Sequence, residues 1–595
     1  MKDSEFGLNT LEVLQRRYLL RNEEGQIIET PQQLFRRVAK AVAIAELNYI
    51  QKNNAKNIED EFYEAMSNLE FLPNTPTLMN AGTGAGQLSA CFVIPVEDSL
   101  TGIFEAAKWT ALIHQTGGGT GFSFSKLRPQ GDAVKSIDGK ASGPITFMTI
   151  FDKTTEVIKQ GGKRRGANMG ILSIDHPDIL NFIQCKSNEN FLSNFNISVA
   201  VNDKFMKAVE KNQNYSLINP RNGKTTQILN ARKTFDLIVH NAWKTGDPGL
   251  IFIDEINRYN PTPSAGRIEA TNPCGEMPLL YWESCNLGSI NLAKVVKDMK
   301  IDWIKLKRLV RLGVRFLDDV IDVNKYPVPQ IDRITKSNRK IGLGIMGFAE
   351  ALIQMGIPYN SKKGISIATK IMKFIKKEGH TASQELGLER GNFANFEYSI
   401  WKRKFHYGNM RNATVTTIAP TGTISIIANC SSGIEPVFAV SYVRNVMDNT
   451  DLYENNQYFE QIAKKEGFYS YNLIKEISRT GSIQHIRRIP KKIKKIFVTA
   501  HDIAPDWHVK MQAAFQRYTD NSVSKTINLS QNAKQSDVRK AFLLAYRLKC
   551  KGITVYRYGS KTNQVLSFGK KKNRASNIVA DSEFSGGCIG TVCPH

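Results

Sequence analysis

Residues 98–127 read DSLTGIFEAAKWTALIHQTGGGTGFSFSKL. Ile103, Phe104, Ala107 and Ala111 recur at the three- and four-residue spacing of one apolar helix face, and Gly117-Gly118-Gly119 is a helix stop. The run FSFSKL alternates with a period of two and reads as a strand. The pattern recurs downstream: Met148, Phe151, Thr155 and Ile158 keep helical spacing, and Gly161-Gly162 ends that helix inside GGKRRGANMG. Further β-type runs (NISVAV, GLIFI, ATVTTIAP, TISIIAN and GITVYRY) alternate with helical stretches. That alternation predicts an α/β architecture.

Upstream, PQQLFRRVAKAVAIAEL…FYEAMSNLEFL carries helical periodicity from residue 31 to about 70 and stops at Leu72-Pro73-Asn74-Thr75-Pro76. The expected organisation is a helical N-terminal region over 1–70, one α/β catalytic body over 71–560, and a flexible Gly-, Ser- and Lys-rich tail over 561–595. There is no internal repeat.

Composition bounds the function. At 595 residues, 41% hydrophobic and 23% charged, the chain is ordinary globular rather than disordered or fibrous. Eighty Lys+Arg against 55 Asp+Glu give 80 − 55 = +25. Such an excess fits nucleic acid, an anionic surface, small phosphorylated substrates or a Lys-rich proteome. The clusters Lys491, Lys492, Lys494, Lys495 and Lys570, Lys571, Lys572, Arg574 have no interleaved aromatics of the kind that stack bases, so nucleic acid is not the expected partner. The start, MKDSEFGLNT, places Asp3 and Glu5 before any apolar run, unlike a signal peptide. The most apolar stretch, residues 341–357, is broken by Glu350 and Gln354 and falls short of a membrane span. Eight sparse cysteines point to a reducing cytoplasm, where a cysteine pair is suspected of chemistry.

Gly342-Leu343-Gly344-Ile345-Met346-Gly347 matches the dinucleotide GxGxxG only weakly. SNRK precedes it where a strand is required, and no acidic residue follows at ribose-binding distance. A close-packed helix start is the expected structure. Asn272-Pro273-Cys274-Gly275-Glu276 differs: amide, thiol and carboxylate at alternating positions project to one side of an extended segment, although Asn-Pro and Cys-Gly also form turns. Cys285 follows closely, before Asn286-Leu287-Gly288, and Cys91 stands upstream in LSACF.

Seven ordered motifs then make the sequence specific. They are LPNTPTLMNAG from Leu72, LSACFVIPVEDS from Leu88, GGGTGFSFSKLRP from Gly117, KQGGKRRGANMGIL from Lys159, NPCGE from Asn272, SCNLGSINL from Ser284 and PTGTIS from Pro420. Together they resemble a ribonucleotide reductase catalytic chain, over residues 8 to 560 with tail cysteines beyond. The resemblance implies a ten-stranded α/β barrel that reduces ribonucleotides, with ribonucleoside diphosphates as the expected substrates, to deoxyribonucleotides for DNA synthesis. It implies that Cys274 becomes a thiyl radical taking the ribose 3′ hydrogen, that Glu276 is the base on the 3′ hydroxyl, and that Asn272 holds substrate hydroxyls. Cys91 and Cys285 match the two thiols that end as a disulfide.

Cys588 and Cys593 match the family's tail dithiol, reset by a thioredoxin-type reductant; Cys588, Cys593 and His595 could instead be metal ligands, though structural zinc wants four. Thr75, Ala90, Gly119 and the turn Pro420, Thr421, Gly422, Thr423, Ser425 match positions around the substrate, where hydroxyls and turn amides suit phosphate. Asp98, Gln160, Lys163 and Arg164 match a site for a dNTP effector at a homodimer interface, and that coupling would be allosteric. The bland reading of the loop is a solvated basic turn.

Within the family, the oxygen-dependent class takes its radical from a second subunit through two adjacent tyrosines; here Tyr556-Arg557-Tyr558 interrupts the pair. The Cys274-to-Cys285 spacing, with Asn286 next, resembles the adenosylcobalamin-dependent class II enzymes. Class II implies cobalt only within the cofactor, no separate metal site, and no radical-generating subunit. The alternatives are the catalytic subunit of the subunit-dependent class, or a basic nucleic-acid-binding descendant of such an enzyme.

Overall fold

The break at Leu72-Pro73 is where helices give way to a sheet. In the computed structural model, residues 6–134, 139–160, 164–188, 190–446 and 450–560 are described. The N-terminal helices are α1 (Leu8–Arg17), α2 (Pro31–Ala43) and α3 (Lys52–Ser67). Thr30 and Gln33 cap α2 reciprocally, and Leu34, Phe35, Val38 and Val42 are buried at helical spacing. Further helices that frame the site are α4 (Thr75–Asn80), α5 (Leu100–Gln115), α6 (Pro144–Val157), α7 (Trp303–Val323), α8 (Lys362–Arg390) and α9 (Gly422–Ile427).

Ten strands share one sheet: β1 (Phe71–Pro73), β2 (Cys91–Val93), β3 (Gly119–Ser123), β4 (Asn168–Ser173), β5 (Phe195–Val201), β6 (Gly249–Phe252), β7 (Ser284–Asn291), β8 (Ile341–Met346), β9 (Thr526–Leu529) and β10 (Gly552–Arg557). Strands β2 to β6 run parallel in sequence order. β7 is parallel to β8 and β9 to β10. The two sets meet antiparallel at β7/β2 and β6/β10. Parallel bridges Leu343↔Thr416 and Ile418↔Val523 carry the pairing from β8 across residues 414–418 to the chain just before β9. The sheet therefore closes into a barrel of two parallel halves set antiparallel to each other, with β1 paired to β7 at the rim. This is the expected ten-stranded α/β barrel.

The apolar residues sort by layer. One core packs the N-terminal helices, α7 and α8 against β7 and β8; a second packs α5 and α6 against β3 to β6. A third lies inside the barrel and includes Ala90, Cys91, Met277, Cys285, Leu287 and Ala419. The N-terminal region is also fastened electrostatically: buried Glu46 accepts from Arg315 and Arg390. Among the described residues no helix is long and apolar enough to cross a membrane.

Three readings change. TISIIAN, from Thr423, is not a β-type run but lies mostly in helix α9, Gly422–Ile427. α5 buries Ile103, Ala106, Ala107, Thr110, Ile113 and His114, while Phe104 is 55% exposed and Ala111 only partly covered. The helix carries apolar residues on more than one face, and the barrel takes the face around Ala106 and Ile113. The glycine motif at 342–347 is not a helix start but strand β8 itself, with only Gly347 leading into a helix. Its glycines serve packing: a Cβ on Gly344 would stand 2.5 Å from the Thr417 carbonyl oxygen.

Candidate active site

The NPCGE motif is the tip of a short hairpin, Ala270–Thr271 paired with Pro278–Leu279, rather than an extended segment. The Gly275 N–H donates to the Asn272 carbonyl, the Asn272 N–H to the Met277 carbonyl, and the Met277 N–H to Asn272 Oδ1. Gly275 holds φ +78°, a conformation that favours glycine. The turn chemistry of Asn-Pro and Cys-Gly therefore prevails over alternation.

This hairpin threads the barrel. Asn196 of β5 donates to the Pro273 carbonyl at 2.9 Å; from the other half, Thr417 Oγ1 and the Ser522 N–H donate to the Glu276 carbonyl at 2.9 and 2.8 Å. The approach to β3 is so close that a Cβ on Gly121 would lie 1.8 Å from the Thr271 carbonyl oxygen. Gly119 likewise faces Pro273. The glycines of GGGTG thus follow from a strand whose inner face touches backbone.

Cys91 and Cys285 are directly opposite each other in the antiparallel β2/β7 register. Both are buried and both are free thiols, with Cys274 partly exposed. Asn272 Nδ2 donates to Cys91 Sγ at 3.1 Å. Burial, and next the hydrogen bond with Cys91, hold the Cys285 thiol well above its ordinary range, so it stays protonated. Glu276 is 2% exposed, and burial pushes its carboxyl up to about 7 against the opposing pull of the Asn272 amide.

The remaining predicted positions fall around this centre. Ala90 donates its N–H to the Cys285 carbonyl and accepts from the Gly119 N–H, tying β2, β3 and β7 together. Thr75 opens α4, which the Asn74 N–H anchors to the Leu287 carbonyl. Ala419, just before Pro420, packs in the inner core, and Thr421 takes a left-handed conformation with its Oγ1 accepting from the Gly433 N–H. Gly422, Thr423 and Ser425 lie on α9, and Ser425 Oγ bonds the Gly422 carbonyl and Ser432.

Asp98, beside α5, is held by Arg128 through its backbone N–H and guanidinium. Gln160 pairs with Arg164 in a small hairpin described only by its backbone, and Lys163 lies outside the described residues. Cys588, Cys593 and His595 lie outside them too. Among the described residues no cluster of metal-ligating side chains occurs.

A cavity on the far side of Cys274 was not legible in the sequence. Gln512, Ser522, Ser524, Lys551 and Thr554 line it. Lys551 donates to the Asp520 and Asn521 carbonyls, and burial pushes its ammonium down to about 7. No local pattern marks these residues; only barrel closure brings 512–554 to 274. Arg557 turns away to donate to the Trp243 carbonyl and cover the Trp243 ring. Across the site, Asn74 Nδ2, Glu276 Oε2, Thr423 Oγ1 and Gln512 Oε1 are buried without a partner in the protein. Buried polar atoms normally find partners, so these four, like others elsewhere in the fold, are open to a bound group.

Three thiols, an amide and a carboxylate gathered inside a closed barrel define a cysteine-based oxidoreductase site. Residues 4–86 match the family described as "Ribonucleotide reductase, all-alpha domain" and residues 89–556 "Ribonucleotide reductase, barrel domain". The chain belongs to the ribonucleotide reductase family. It is 51% identical to the vitamin B12-dependent ribonucleoside-diphosphate reductase of Thermoplasma acidophilum, over 96% of this chain and 81% of that one. It is 48% identical to the protein of the same name from Mycobacterium tuberculosis, over 99% and 83%. The fold is that of the Actinobacillus ureae class Id ribonucleotide reductase alpha subunit (TM-score 0.76, 24% identity, 93% of this chain and 97% of that one).

Proposed function

We propose that this protein is an adenosylcobalamin-dependent class II reductase that converts ribonucleoside diphosphates to 2′-deoxyribonucleoside diphosphates. What carries the reading is the placement of Cys274, at the tip of a hairpin between a buried thiol pair with Glu276 and a separate polar cavity. The names of the relatives at 48–51% identity supply the cofactor and the diphosphate.

The cavity residues fit an adenosyl group. The orphaned Gln512 Oε1 and the hydroxyls of Ser522, Ser524 and Thr554 offer hydrogen bonds to ribose and adenine, while Leu250, Ile251 and Ile553 give apolar contact. When bound, the cofactor supplies a carbon radical by homolysis of its cobalt–carbon bond.

The chain's own groups divide the remaining work. Cys274, as a thiyl radical, takes the ribose 3′ hydrogen and returns it at the end. Glu276, ionised, accepts the 3′ hydroxyl proton through its unpartnered Oε2, and Asn272 orients the hydroxyls. Cys91 and Cys285 give up two protons and two electrons: the 2′ hydroxyl leaves as water, C2′ gains hydrogen, and a disulfide forms. The Cys285 thiol, kept protonated by burial, suits hydrogen delivery rather than nucleophilic attack. Cys588 and Cys593 exchange with that disulfide and are reset by a thioredoxin-type reductant. Thr75, Ala90, Gly119 and the 420–425 turn bind the substrate.

The homodimer reading draws support from α5 and α6, which pack together and leave Leu100, Phe104 and Val157 at 65%, 55% and 67% exposure. The 159–165 hairpin and Asp98 adjoin that face, which suits a dNTP effector. The unpaired thiols suit the cytoplasm, and no radical-generating subunit is required.

Incubation with adenosylcobalamin, CDP, a dNTP and dithiothreitol is expected to yield dCDP. Cys274→Ser abolishes it. Product without the cofactor but with a second subunit would overturn the class assignment. Salt-sensitive DNA binding with no nucleotide reduction would favour the nucleic-acid reading.

A further inference from the structure

α1 touches the substrate site at two places. Near its start, Thr10 Oγ1, 1% exposed, donates to the Ile427 carbonyl at 3.0 Å. Ile427 ends α9, whose last carbonyls lack helical partners, and whose other end carries Gly422, Thr423 and Ser425. Just past the other end of α1, Tyr18 reaches Thr75: the two hydroxyls are 2.7 Å apart, at 2% and 3% exposure. Leu14 and Leu19, both buried, fix the ring's neighbourhood, and the Tyr18 N–H donates to the Leu14 carbonyl.

The Tyr18–Thr75 bond is not needed to cap α4. Asn74 does that, its Oδ1 accepting from the Thr77 N–H and Oγ1 at 2.9 Å each. A buried tyrosine needs some partner for its hydroxyl. Here a partner is the hydroxyl of Thr75, read above as a substrate contact, on a segment remote in sequence. A hydroxyl has one proton and a free rotor. Either hydroxyl can donate; when the more acidic phenol does, Thr75 Oγ1 accepts and its own proton points away from Tyr18.

We propose that Tyr18 is a positioning residue for substrate binding: it fixes the Thr75 hydroxyl in its binding orientation, while Thr10 holds α9 from the same helix. The inference rests on the reading of Thr75 as a substrate contact. α1 is thereby a strut between two substrate-binding elements. The helical N-terminal region contributes to the Michaelis complex with no catalytic group of its own.

Tyr18→Phe keeps the ring and deletes only the hydroxyl. With CDP, adenosylcobalamin and dithiothreitol, KM is expected to rise about three- to tenfold, the worth of one buried neutral hydrogen bond, with kcat little changed. Equilibrium binding of CDP to the cofactor-free protein should weaken by the same factor, with the melting temperature lowered by only about 1–2 °C, as the loss of one buried hydrogen bond implies in a chain this large. Thr75→Val should raise KM as well, and the double variant should be no worse than Thr75→Val alone, since the pair acts as one unit. Thr10→Val provides a second arm in case Tyr18→Phe does not fold, with a smaller rise in KM expected. An unchanged KM in Tyr18→Phe beside a raised KM in Thr75→Val overturns the inference. So does a loss of kcat together with a larger fall in melting temperature, which marks a merely structural role. If both single variants bind CDP like the parent protein, the reading of Thr75 as a substrate contact falls instead.

Discussion

Replacing Glu276 by Gln tests the chemistry of the site most directly. Burial holds this carboxyl at about 7 rather than the ordinary glutamate value of 4.5. That difference corresponds to about 3 kcal/mol favouring the protonated form. A general base works only when ionised. With a pKa near 7, roughly one molecule in eleven is competent at pH 6 and ten in eleven at pH 8, so the rate of the chemical step should rise about tenfold between them. A carboxyl at 4.5 would give an almost flat profile over the same range. Single-turnover reduction of CDP by pre-reduced protein is the suitable assay, because it keeps the external thiol's own titration out of the rate. Glu276→Gln should lose about 10²- to 10⁴-fold in rate and lose the rising limb as well. A flat profile in the parent protein, or an unchanged limb in the variant, would refute the assignment of Glu276 as base.

Three other outcomes are expected. Gly121→Ala places a methyl 1.8 Å from the Thr271 carbonyl. It should displace the Cys274 hairpin and cost at least about 100-fold in turnover with the barrel's circular dichroism retained; near-normal activity would mean that the hairpin is not held there. Cys588→Ser with Cys593→Ser should spare one dithiothreitol-supported turnover and lose thioredoxin-driven cycling, so equal multiple-turnover rates with thioredoxin would exclude a tail relay. Thr423→Val removes a buried hydroxyl that has no partner. The ligand-free protein should gain about 1 kcal/mol in urea unfolding while KM for CDP rises; a loss of stability would mean that the hydroxyl is satisfied.

The parts of the site that lie within short segments could be read from the chain. NPCGE, LSACF and SCNLG each carry a candidate side chain beside its own turn or strand signal, and β-type runs alternating with helical periods fixed the α/β class. Register between distant segments was beyond reach. That Cys91 faces Cys285 depends on β2 and β7 pairing across nearly two hundred residues, and that Gln512 and Lys551 approach Cys274 depends on closure through the 414–418 bridges. Local reading erred where tertiary contact decides between two local options. α5 could have turned either apolar face inward. The 342–347 glycines look like a phosphate turn until β8 is seen packed against Leu287 and Thr417.

The burial that makes the site reactive also makes it costly to maintain. Glu276 is kept near neutrality, Lys551 is pushed toward its uncharged form, and Cys285 is kept as a thiol, all by exclusion of water. The same exclusion leaves Asn74, Glu276, Thr423 and Gln512 each with an unsatisfied atom, at about 1–3 kcal/mol apiece. Such costs are tolerable because the barrel is over-determined elsewhere, by three cores and by the ion pairs around Glu46. Ligands that satisfy these atoms recover the cost on binding. On the proposed reading, phosphate recognition would need no dense cluster of arginines, because hydroxyls and backbone amides already desolvated would serve. The +25 net charge is accordingly not concentrated in this site. Helix Lys491–Ile496 keeps Ile493 inward and its lysines outward, with Lys492 paired to Glu466. Its basicity belongs to the surface, whereas the reactivity belongs to an interior where charge is suppressed.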